Sequence, residues 1–81
     1  MNMQHKIIRE MLKSLPVPAA TEILEINLKP DEAKAILYSR DVKDTHDLNG
    51  IAQMLNISER KIKQIRSSGY KKLAAIYFPK R

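Results

Sequence analysis

The sequence predicts an all-α fold, a small bundle of four to five helices. Three observations predict it. Apolar residues recur at three- and four-residue spacing near both ends of the 81-residue chain. Its 2 glycines and 4 prolines are scarce, and the prolines stand between the periodic stretches. Only one stretch alternates as a strand does, and a lone strand has nothing to pair with.

Taken in order, Ile7, Ile8, Met11, Leu12 and Leu15 mark an amphipathic helix. Pro16 and Pro18 are expected to end it, since proline removes a donor and pushes its predecessor out of the helical region. The next stretch reads two ways. Ala19, Ala20, Ile23 and Leu24 fit a short helix, whereas Leu24, Ile26 and Leu28 alternate; helix is preferred. Pro30 at a first helical position, with Asp31 and Glu32 facing the positive end of the dipole, opens the third element. Leu28 is placed to staple onto Ala33, and Ala33, Ile36 and Leu37 form the buried stripe. Residues 39–47 read as a polar loop, with Asp47 capping a short helix that ends at Leu55. Asn56 follows, where the chain must turn and a left-handed backbone is expected. Ser58 caps the last helix, which runs to about Tyr77 before Pro79 stops it. The length fits a single domain over 1–81, with an N-terminal helical extension at 1–27 and the motif-bearing part at 28–78.

Composition removes several function classes. There is no cysteine, hence no disulfide, thiolate chemistry or Cys-based zinc site. His5 and His46 lie far apart with no acid or second histidine at ligand spacing, so no metal is expected. No Gly-rich phosphate loop or nucleophile arrangement appears, and the carboxylates read as scattered over exposed helix faces. Neither catalysis nor a cofactor is expected. No apolar run approaches the roughly 20 residues that span a bilayer, and the first 15 residues do not read as a secretory signal. A cytoplasmic protein with no membrane partner is expected.

Net charge is +6, and its placement is more informative than its size. Residues 1–57 carry seven basic and eight acidic side chains, whereas residues 58–81 carry eight basic ones against Glu59 alone. A neutral body with a basic closing element suits a polyanion, because each neutralised phosphate releases counterions.

Residues 48–73 then become specific. Leu48, Ile51, Ala52 and Leu55 form one apolar face, Ile57 sits in the turn, and Ile62 and Ile65 face back from the next helix. These seven positions fit a helix-turn-helix, with Ala52 where the axes come closest and Asn56 in place of the usual turn glycine. With them inward, Glu59, Arg60, Lys61, Lys63, Gln64 and Ser67 point outward, able to reach base edges and phosphates in a major groove. Arg60, Lys61, Lys63 and Gln64 are the candidate base-edge and groove contacts. Arg66, Lys71 and Lys72 are the candidate phosphate contacts. Ser58 combines capping with donation to a phosphate at the helix start. Tyr38, Tyr70, Tyr77 and Phe78 are read as packing. The N-terminal stripe is read as packing on its own bundle, with a homodimer through that helix as the second reading.

From Leu28 to Ala75, about 48 of the 81 residues, the chain resembles the promoter-reading region 4 of bacterial sigma factors. The Leu28–Leu37 opening, the Ile51-Ala52 pair, the Ser58-capped helix, the Gln64-Ile65 step and Lys72-Leu73 carry the likeness. The DNA-binding domain of response regulators has a similar outline; the longer loop and the Gln-Ile step favour the sigma-like version. Two positions depart from the pattern: Glu59 precedes Arg60 where the family often has Arg then Glu, and Gly69 stands where alanine is usual. Gly69 costs the helix roughly 1 kcal/mol and marks a bend or a close approach. The resemblance implies a free-standing, sequence-specific regulator of transcription on double-stranded DNA, of a bacteriophage or mobile-element type, with RNA polymerase as a further partner. Two other readings use the same fold: a phage DNA-packaging (small terminase) or recombination module, and a protein-interaction module that touches no DNA.

Overall fold

Five helices appear in a computed structural model that describes residues 3–40 and 48–79: α1 (Met3–Ser14), α2 (Val17–Asn27), α3 (Pro30–Ser39), α4 (Leu48–Met54) and α5 (Glu59–Tyr77). No strand occurs among the described residues. The expected Asp47 cap, most of the 39–47 loop, His46, Lys80 and Arg81 lie outside them.

Each boundary has a local cause. α1 stops at Ser14, and Arg40 from the end of α3 donates to the Leu12 carbonyl at 3.2 Å, placing a cation at the negative end of α1. Pro16 is the N-cap of α2. Pro18 does not end α1 as expected; it lies in the first turn of α2, where a missing N–H costs nothing. The ambiguous stretch is helical, closed by the Leu28 N–H donating to the Leu24 carbonyl at 2.9 Å. α3 opens at Pro30, and its third residue, Glu32, accepts the Lys29 N–H at 3.0 Å.

Two apolar clusters hold the helices. The larger takes Ile8 and Leu12 from α1, Ala20 and Leu24 from α2, Leu28, Ala33 and Ile36, and Tyr70, Leu73 and Ala74 from α5. Met11, Leu15, Leu37 and Phe78 pack at its edge. α1 and α2 thus supply four of the ten buried residues of this core. Ile7 alone of the N-terminal stripe stays exposed. The rest of that stripe is spent within the subunit, which removes most of the apolar face on which a homodimer seam was read. The smaller cluster takes Ala35 from α3, Leu48, Ile51 and Ala52 from α4, and Ile62 and Ile65 from α5.

Gly69 shows why alanine is absent there. A Cβ at that point would overlap the Cδ1 of fully buried Ile36, so alanine there would force that side chain to shift inside the core where α3 and α5 approach. Its φ is not positive, and packing rather than backbone freedom is the reason. Tyr38 and Tyr77, read as packing residues, are instead exposed.

Candidate nucleic-acid interface

The turn between α4 and α5 has a complete hydrogen-bond account. Asn56 adopts a left-handed backbone, φ 59°. Its N–H donates to the Gln53 carbonyl at 3.0 Å, and the Ile57 N–H donates to Ala52 at 2.9 Å. This is the paired closure that ends a helix around one left-handed residue, and asparagine substitutes for glycine in it. Ile57, just before the cap, packs against the smaller cluster to which Ile62 belongs, the spacing of a hydrophobic staple at the start of α5. Ser58 Oγ then accepts the Lys61 N–H at 3.0 Å.

All seven expected apolar positions meet in this cluster, Leu55 and Ile57 partly buried and the other five buried. The consequence for α5 is geometric. Ile62 and Ile65 fix which side faces α4, and Glu59, Arg60, Lys61, Lys63, Gln64 and Ser67 are all exposed. Arg60, Gln64, Ser67 and Lys71 follow one another at three- and four-residue steps, a strip about 16 Å long at 1.5 Å per residue. Lys63 leans back toward Glu59 at 3.5 Å, an exposed pair of small energetic weight. Lys63, Gln64, Ser67, Ser68, Lys71 and Lys72 line a shallow concavity on this outer face.

Two expected phosphate contacts are placed differently from the strip. Arg66 is half-buried, with its guanidinium carbon 5.7 Å from the centre of the Tyr70 ring and its Nε buried without a hydrogen-bond partner among the described residues. It faces the α1–α5 seam because Tyr70, one turn on, is part of the core at 2% exposure. His5 of α1 stacks on the same ring, centroids 5.5 Å apart. Burial, together with the nearby charge of Lys71, lowers the His5 pKa below its ordinary value. Burial raises the Tyr70 hydroxyl, against the opposing charges of Arg66 and Arg9.

Lys72 has an intramolecular partner. Its Nζ donates to Glu32 Oε1 at 2.7 Å, and Ser68 Oγ donates to Glu32 Oε2 at 2.7 Å. Glu32 is buried, contrary to the expectation that the carboxylates lie on exposed faces. Burial pushes its pKa up, but the bonds from Lys72, Ser68 and the Lys29 N–H outweigh that and bring it down to about 2. Sequence reasoning found Glu32 as a first-turn acid and missed these partners, which lie 36 and 40 residues away. Its spacing from Lys29 held the only local signal.

Among the described residues, no group of three or more acidic or histidine side chains could hold a metal, and no helix is long and apolar enough to cross a membrane. Comparison with protein-family models, curated proteins and solved structures finds no match for the chain. The arrangement, a capped helix with a polar, mostly cationic outer face held by a buried inner one, is suited to binding an extended anion.

Proposed function

We propose that the chain is a sequence-specific, double-stranded DNA-binding regulator of transcription that acts in the cytoplasm and lays α5 in the major groove. One observation carries this reading: burial of Ile62 and Ile65 against α4 leaves Arg60, Lys61, Lys63, Gln64 and Ser67 exposed along the first turns of a capped helix. Arg60, Lys61, Lys63 and Gln64 read base edges, and Lys71 and Lys72 meet phosphates farther along. Ser58 caps the helix and adds a donor at its start. The resemblance to sigma region 4 supports the same reading and adds RNA polymerase as a partner. Leu24, Leu28, Ala33 and Leu37 line a groove between α2 and α3, where such a protein partner would dock.

Selection from random duplexes tests the proposal. One enriched sequence is expected, bound with an affinity that falls steeply as salt rises. Recovery of random sequences would remove sequence specificity, and a flat salt response or no binding would favour the protein-interaction reading.

A further inference from the structure

Glu32 is not on the outer face of α5, yet it holds two residues that line that face. Its side chain is 7% exposed and both oxygens are engaged: Oε1 by the Lys72 ammonium at 2.7 Å and the Lys29 N–H at 3.0 Å, Oε2 by the Ser68 hydroxyl at 2.7 Å. Only the carboxylate of this pair is buried, and desolvating it offsets part of what the half-exposed ammonium returns, so stability alone is a weak reason for the arrangement. Its other consequence is positional. Lys72 remains 42% exposed, and its ammonium has three hydrogens, of which Glu32 takes one. An unrestrained surface lysine samples many rotamers and loses that freedom on binding; Lys72 cannot swing away without abandoning a buried carboxylate.

We propose that Glu32 is a positioning residue for DNA binding, its buried carboxylate fixing the Lys72 ammonium at the rim of the concavity so that the remaining hydrogens receive a backbone phosphate. The proposal rests on the DNA-binding reading above. It makes Lys72 a pre-set phosphate contact beside Lys63 and Lys71, whose ammonium groups have no such buried anchor among the described residues.

Charge alone predicts the opposite effect, which makes the test sharp. Glu32→Gln removes a negative charge beside a basic surface and on Coulombic grounds tightens binding. Positioning predicts looser binding. The experiment measures affinity of the full chain for its selected duplex across a salt series, with the folded fraction followed by circular dichroism. Glu32→Gln is expected to bind about tenfold more weakly. The slope of log affinity against log salt is expected to stay unchanged, because the released Lys72 still meets its phosphate and only loses more rotamer freedom in doing so. Lys72→Met is expected to bind at least tenfold more weakly and to shrink that slope by about 0.9, the contribution of one phosphate, with the double variant no weaker than Lys72→Met alone. Equal or tighter binding by Glu32→Gln overturns the proposal. So does weaker binding fully accounted for by a lower folded fraction, because partial unfolding lowers the active fraction without any role for the position of Lys72. If Glu32→Gln does not fold, Ser68→Ala decides, since it keeps both charges and removes one bond from the carboxylate: about threefold weaker binding is expected, and unchanged affinity overturns the proposal. A wild-type chain that binds no duplex removes the DNA-binding reading and this proposal together, whereas a binding wild type with an unaffected Glu32→Gln removes the positioning role alone.

Discussion

The two ends of α5 have the same secondary structure and opposite surroundings. Its C-terminal half gives Tyr70, Leu73 and Ala74 to the larger cluster, where α1, α2 and α3 also meet. Its N-terminal half gives only Ile62 and Ile65 to the smaller one, against α4 and Ala35, and the remaining side chains there are polar and mostly exposed. One helix is thus anchored at one end and presented at the other. A surface that reads a rigid partner needs fixed geometry with few residues spent on it, and anchoring farther along the same rod supplies that.

The largest effect that could break this division comes from the anchored end. Leu73→Ala removes a fully buried side chain and is expected to cost about 3 kcal/mol, a drop of roughly 15 °C in the thermal midpoint. Duplex affinity per folded molecule should be unchanged when titrated well below that midpoint. Ala52→Leu comes next. It forces bulk between α4 and α5, is expected to cost about 2 kcal/mol by chemical denaturation, and should also weaken DNA binding because the presented face tilts. At the presented end Arg60→Ala should leave stability within about 0.5 kcal/mol. It should weaken specific binding by roughly 1–3 kcal/mol and relax one base preference in competition assays. Ser58→Ala sits at the junction and should cost about 1 kcal/mol through the lost Lys61 N–H cap.

The last expected effect appears only in acid, through the titration of Glu32. Its carboxyl is lowered to about 2 from an ordinary 4.5, so its contribution to stability is complete above pH 4.5 and is lost as pH falls from about 4.5 toward 2. Denaturant midpoints followed over that window should decline in wild type, and Glu32→Gln should lack that part of the decline.

Legibility in the sequence followed the range of the interaction. Asn56, Ser58 and Pro30 act within a few residues, and their turn, cap and helix start were readable from the sequence. The seven aliphatic positions were readable because helical period alone places them on facing sides. Pro18 misled because proline ends one helix and begins the next equally well. The half-buried setting of Arg66 was not legible, because it depends on Tyr70 one turn on being core and lying 5.7 Å from its guanidinium carbon. The bonds of Ser68 and Lys72 to Glu32, like that of Arg40 to the end of α1, join residues 28 to 40 positions apart, and nothing periodic encodes them. Gly69 was legible as an anomaly; only the position of Ile36 gave the reason.

The central claim, that the exposed face at the start of α5 lies along a duplex, is tested most directly by mapping amide chemical shifts of the full chain against its selected DNA. Large shifts confined to residues 58–72, with Arg60, Lys61 and Gln64 among the largest, are the predicted result. Shifts centred on Leu24, Leu28 and Leu37, with residues 58–68 unmoved, would contradict it.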